Sequence, residues 1–159
     1  PDQIEKIENM LKDLASKNHI PTEVSVFIRE KDDREPLTIK EQKKFFKKGT
    51  IIVGIHGTAM TNMAWSERAS NFSLAPLQVI ECTGNTSAKK LYHPEVKPWQ
   101  SGNDLGYWPE FSNNFNISWK HIFYSIIEGR NDFKLVDINL VHLEQAIRDS
   151  FRENQSFNN

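Results

Sequence analysis

With 159 residues in 18.5 kDa, 38% of them hydrophobic and 26% charged, the chain is long enough for one domain with its own core and is not disordered by composition. Twenty Lys and Arg stand against 21 Asp and Glu, a net charge of -1, which excludes a strongly basic nucleic-acid binder. No apolar run approaches the roughly 20 residues that span a bilayer; the acidic, amphipathic opening is not what a secretory leader is expected to show, and Pro1 in place of methionine leads us to expect an excised piece of a longer protein.

Ile4, Ile7, Leu11 and Leu14 recur at helical spacing among acids and lysines, predicting an amphipathic helix that stops before Pro21. Val24 to Ile28 is a β-rich run of strand length, and Lys31 to Pro36 a solvated turn. Thr38-Ile39-Lys40-Glu41 is a capping box. The helix it opens is expected to turn Phe45 and Phe46 inward and to end near Lys48-Gly49, with glycine as a left-handed cap. Thr50 to Ile55 is an unbroken apolar run, as in a parallel strand covered on both faces. After His56-Gly57, Thr58 to Trp65 reads as helical, Ser66 to Pro76 as a polar loop, and Leu77 to Glu81 as another short strand.

From Thr83 to Asn116 the chain is rich in Pro, Gly, Asn and aromatics and reads as loops and short turns, a length that points to function or insertion. Trp119, Ile122, Phe123, Ile126 and Ile127 predict a helix closed by Gly129. Leu140, Leu143, Ile147 and Phe151 predict a last helix, followed by a frayed Asn-rich tail. Strands alternating with helices, and no repeat or internal boundary, make residues 1–159 a single α/β domain: a Rossmann-like layered parallel sheet with flanking helices.

The chemistry is expected where the strand passes through Gly54-Ile55-His56-Gly57-Thr58-Ala59 into a helix. Unpaired amides at a helix start favour an anion such as phosphate, Gly57 admits a ligand to the backbone, and Thr58 adds a hydroxyl. His56 lies at the mouth and Asn62 one turn along the same face, at the edge of an open sheet where ligands bind. A plain strand-to-helix turn with a satisfied histidine is the alternative. Neither a Walker loop nor a dinucleotide fingerprint is present. Glu81, ending a buried run, is the second candidate: it accepts from ribose hydroxyls, or it caps the next loop or pairs with Lys89 or Lys90.

Other features carry less. His19, His93, His121 and His142 lack metal-site spacing, with His121 and His142 expected on helices in structural or surface roles. Trp99, Tyr107, Trp108, Phe111, Phe115 and Trp119 stack on a sugar or, more commonly, fill a core. Cys82 reads as a buried small residue without a base, and Lys43, Lys44, Lys47 and Lys48 as a solvated helix face. Asn-x-Ser/Thr tripeptides begin at Asn71, Asn85, Asn116 and Asn154, a hint of the secretory pathway.

Leu37 to Gln42, then Phe45-Phe46, then Ile52-Val53-Gly54-Ile55-His56-Gly57-Thr58-Ala59-Met60-Thr61-Asn62, with the Leu77–Glu81 strand behind, resembles glycosyltransferase family 61 over roughly Glu5 to Phe151. The resemblance implies the carboxyl-terminal lobe of a two-lobed GT-B enzyme. Such an enzyme inverts the anomeric carbon as it moves a sugar from a nucleotide-sugar donor, UDP-linked by expectation, to a glycan or glycoprotein acceptor. It places His56, Gly57 and Asn62 at donor-binding positions and Glu81 at a strand-end acid; the amides of Thr58 and Ala59, at the helix start, join His56 as the expected seat of the diphosphate, and with no Asp-x-Asp pair in the sequence no metal or separate cofactor is expected. It also implies a Golgi or endoplasmic-reticulum lumen for a eukaryotic parent, anchored through a missing amino-terminal segment, and the cytoplasm otherwise. Thr58 stands where the family has alanine, Met60 where a small residue is common, and the Trp65–Pro76 loop is longer than the family's turn. The amino-terminal lobe with its acceptor site and general base would be absent, so this piece is expected to bind donor weakly, if at all, and not to turn over alone. A non-catalytic nucleotide- or glycan-binding module and a structural α/β interaction domain are the competing expectations.

Overall fold

The computed structural model describes residues 3–17, 23–24, 37–55, 58–84, 100–101, 114–128 and 135–157. The expected strand at 24–28 and turn at 31–36 lie, beyond Val24, outside these residues, as does most of 83–116.

Helix α1 (Gln3–Lys17) follows the apolar spacing: Leu14 and Ala15 are buried, with Ile7, Met10 and Leu11 against the same core. Its solvent side carries Glu8–Lys12 and Asp13–Lys17 one turn apart, the acid first, the order that suits the helix dipole. Helix α2 (Ile39–Lys47) opens on the predicted capping box. Thr38 Oγ1 accepts from the Glu41 N–H at 3.3 Å, and the Glu41 carboxylate accepts from the Thr38 N–H at 2.8 Å. Two expectations for this helix change. Phe46 is buried, but Phe45 remains 36% exposed and meets Phe46 edge to face. Gly49 does not adopt the left-handed region; its N–H donates to the Phe46 carbonyl at 3.0 Å, so the turn closes without that cap.

Strands β1 (Ile51–Ile55), β2 (Leu77–Gly84) and β4 (Ile117–Glu128) form a parallel sheet in that order. The short β3 (Gln100–Ser101) and β5 (Leu135–Ile138) run antiparallel along β4, the latter past a register shift between Ile126 and Glu128. A 3₁₀ helix (Thr58–Trp65) follows β1, and helix α3 (Leu140–Phe157) ends the described chain. Asn139 caps α3, its Oδ1 accepting from the Val141 and His142 N–H groups at 3.1 Å.

The segment expected to be a helix at 119–127 is therefore a strand. Trp119, Lys120, His121 and Ile122 are consecutive and all buried, because β4 sits inside the sheet with both faces covered. The tail beyond Phe151 also continues as helix to Phe157, further than the expected frayed end allows.

Successive residues of each strand face opposite sides, and the two sides differ. One carries Ile52, Leu77, Val79, Ile117 and Trp119 under Met60 and Met63 of the 3₁₀ helix. The other carries Ile51, Val53, Ile80, Cys82 and Ile122 under α1 and α3, which bring Leu14, Leu143, Ile147 and Phe151. Lys120, on this second side, is 1% exposed. Its Nζ donates to Gln78 Oε1 at 2.7 Å and to Glu153 Oε2 at 2.9 Å, tying the sheet to α3. A buried ammonium is tolerable only when its donors are met in this way.

Candidate functional site

The register fixes what lies beside the carboxyl end of β1. Gly54 on β1 stands beside Glu81 on β2, and Glu81 beside His121 on β4. One residue further on β1 is Ile55, half exposed, where the chain leaves the sheet. His56 and Gly57 lie outside the described residues. Thr58 and Ala59 open the 3₁₀ helix, so the predicted passage from strand to helix stands at the expected edge of the sheet.

Gly54 makes room for a neighbouring side chain here. A Cβ at that position would run into Sδ of Met60, which is 4% exposed and belongs to the first turn of the 3₁₀ helix. The missing side chain thus lets the helix settle onto the strand end. It also explains how a large Met60 fits where a small residue was expected.

Asn62 is half-buried, and its Nδ2 donates to Gln42 Oε1 of α2 at 3.0 Å. Gln42 in turn donates through Nε2 to the Leu37 carbonyl at 2.8 Å. Two parts of the sequence pattern, the Glu-Gln of α2 and the Asn of the 3₁₀ helix, are therefore one hydrogen-bonded unit. Lys43 adds a second link, with its ammonium 5.5 Å from the centre of the Trp65 ring.

Glu81 differs from the expected arrangement. It is the fifth residue of an eight-residue strand rather than its end, and it is fully buried. Its Oε2 accepts from Trp119 Nε1 at 3.2 Å and lies 3.3 Å from His121 Nδ1. A carboxylate inside a protein is tolerable when such donors meet it. Glu81 meets a ribose only if this cover moves, and Lys89 and Lys90, its other expected partners, lie outside the described residues.

His121, expected on a helix in a structural or surface role, is 1% exposed on β4, and its ring lies 5.9 Å from that of Trp119. Helical spacing hid both residues. The available signal was a histidine next to a lysine inside an otherwise apolar and β-branched run, a pattern that makes sense only when both have buried partners. Gln42 was visible as part of the motif, but not as the partner of Asn62.

Of the expected aromatic cluster, Phe115 and Trp119 pack in the core beside the 3₁₀ helix; Trp99, Tyr107, Trp108 and Phe111 lie outside the described residues. Cys82 is buried on the α1–α3 side, and burial, followed by the nearby Glu81 charge, pushes its thiol up to about 12. It is not a nucleophile at neutral pH. Among the described residues no three His, Cys, Asp or Glu side chains converge as metal ligands, and no helix is long and apolar enough to cross a membrane.

No protein-family model matches the chain, and no curated protein or solved structure matches it.

Proposed function

We propose that this chain is the donor-binding lobe of an inverting glycosyltransferase of GT-B, Rossmann-like architecture that uses a UDP-sugar and transfers to a glycan or glycoprotein. The observation that carries the proposal is the passage from β1 into the 3₁₀ helix at the carboxyl edge of a parallel sheet, with Gly54 making room for the helix and Gln42 holding Asn62. Ligands of open α/β sheets bind at that edge.

Bond breaking at the anomeric carbon drives negative charge onto the departing diphosphate. Backbone amides fixed before the reaction, with a side-chain donor beside them, stabilise that charge without reorganising. In this proposal the amides of Thr58 and Ala59 and the imidazole of His56 hold the diphosphate, Gly57 lets it approach, and Asn62 keeps the helix start in place. Glu81, beside Gly54 across the sheet, supports the end of β1 together with Trp119 and His121. The acceptor site and general base belong to a partner lobe, and a Golgi or endoplasmic-reticulum lumen is the setting proposed for a eukaryotic parent.

Titrating UDP, UDP-sugars and GDP against the chain, followed by thermal unfolding, tests this. A ligand at about one hundred times its Kd adds about 2.7 kcal/mol, which raises Tm by several degrees. UDP compounds are expected to do so, and His56→Ala to abolish the rise without lowering the unliganded Tm. No shift with any nucleotide at millimolar concentration refutes the proposal.

A further inference from the structure

Four Asn-x-Ser/Thr tripeptides occur in the chain, and the proposed donor site uses none of them. Three fall within the described residues, and the fold treats them very differently. Asn85 lies outside.

Asn116 is half-buried, and its amide is fully engaged. The two hydrogens of Nδ2 are shared among three carbonyls, those of Arg68 at 3.2 Å, Asn71 at 2.9 Å and Leu74 at 2.9 Å. Its own backbone is tied on both sides, the N–H to the Ala69 carbonyl and the carbonyl to the Leu77 N–H. A sugar on that nitrogen would break the clasp that holds the 66–76 loop against the start of β4. Asn154 is half-buried inside α3, with its Oδ1 accepting from Arg68 Nη1 at 2.9 Å. Helical backbone keeps its tripeptide from the extended or turned shape that presents an acceptor amide on a surface loop.

Asn71 is the opposite case. It is exposed on the loop between the 3₁₀ helix and β2, and its tripeptide is Asn71-Phe72-Ser73. Oδ1 accepts from the Ser73 N–H at 2.9 Å, which folds the hydroxyl residue back toward the amide, while Nδ2 meets no acceptor among the described residues. The neighbours add an independent observation: Phe72 is 67% exposed and Leu74 41% exposed, an apolar pair with no cover among the described residues. The apolar face of a pyranose stacks on an exposed aromatic ring, so the first sugars of a glycan at Asn71 would shield that pair.

We propose that Asn71 is an N-glycan acceptor, and that the folded protein carries a glycan there and not at Asn116 or Asn154. The donor is a lipid-diphosphate-linked oligosaccharide, brought by the oligosaccharyltransferase of a secretory lumen. Nδ2 forms a bond to C1 of the reducing-end sugar as the C1–O bond to the diphosphate breaks. The electron pair leaves with the lipid diphosphate, and one amide proton passes to a base of the transferase. Occupancy in the cell rests on the lumenal setting proposed above. The experiment supplies the lumen, so its failure is separate from failure of the donor-site proposal, which the nucleotide titration reads.

The full chain, carrying Asn85→Gln, is translated behind a cleavable signal sequence into microsomes and secreted from cultured eukaryotic cells. Protease-resistant material is then mapped by glycopeptide mass spectrometry after endoglycosidase treatment. We expect one glycan, at Asn71. Asn71→Gln and Ser73→Ala should each reduce it at least tenfold, whereas Ser73→Thr should keep it. Folded material with Asn71 bare, or with a glycan at Asn116 or Asn154, overturns the proposal. If a variant fails to fold, the same peptide is read from the total translocated chain, where a bare Asn71 in the parent sequence overturns it equally.

Discussion

Replacing Glu81 by alanine takes the acceptor from the Trp119 indole and the carboxylate from beside the His121 ring. Trp119 Nε1 and His121 Nδ1 both face the same oxygen, at 3.2 and 3.3 Å, and both side chains are almost fully buried. Hydrogen bonds to a charged acceptor contribute about 1.5–3 kcal/mol each, and breaking a buried pair by removing one partner costs about 3–5 kcal/mol. Because the indole and the imidazole face one oxygen, we take about 3–5 kcal/mol for the whole loss rather than adding separate contributions. For a domain of this length that is a fall in Tm of about 10 °C. Glu81→Gln keeps the shape and an oxygen for the indole, and should cost about 1–2 kcal/mol. Urea unfolding followed by tryptophan fluorescence and by circular dichroism gives the free energies. A double-mutant cycle with Trp119→Phe should show coupling of about 1 kcal/mol or more. An alanine variant within about 1 kcal/mol of the parent, or no coupling to Trp119, would refute the idea that this carboxylate is held in place by the two rings.

Further outcomes follow from neighbouring residues. Gly54→Ala sets a methyl against Met60 Sδ and should cost about 1–3 kcal/mol; thermal melts of the variant combined with Met60→Ala should show less damage than the two single losses added. Gln42→Ala and Asn62→Ala should be coupled by about 0.5–1 kcal/mol in a double-mutant cycle, since they share one hydrogen bond. Cys82 should resist thiol reagents at pH 8 until the protein unfolds. With its thiol raised from 9.0 to about 12, the unfolded chain loses that proton first as pH rises between those values. Stability should therefore be complete below about pH 9 and fall above it, by at most about 1.4 kcal/mol per pH unit from this group. Cys82→Ala should flatten that part of a pH-stability curve.

Much of the architecture was legible because its causes are local. The spacing of Ile4, Ile7, Leu11 and Leu14, the box from Thr38 to Glu41 and the apolar run at 50–55 each act within a few residues, and each formed the element it predicts. The strand β4 was read as a helix because Trp119, Ile122, Phe123, Ile126 and Ile127 satisfy a helical period. What decides its conformation is distant: Lys120 finds Gln78 and Glu153, and His121 finds Glu81, all more than thirty residues away. A strand buried on both faces has no alternation to reveal it. The same distance hid the character of Glu81, whose position in an apolar run was plain while the indole and imidazole that enclose it were not. Phe45 differed for a simpler reason: a nine-residue helix packed on one side cannot bury two adjacent rings equally.

The ion pair between Lys120 and Glu153 has a consequence for biosynthesis. Until α3 has cleared the ribosome, the parallel strands lack the cover supplied by Leu143, Ile147 and Phe151, and an ammonium in their midst lacks its counter-charge. Translation thus leaves a sticky, half-clad intermediate until α3 emerges, the stage at which chaperones bind and aggregation competes. A stop codon just before residue 140 would leave that intermediate as the end product.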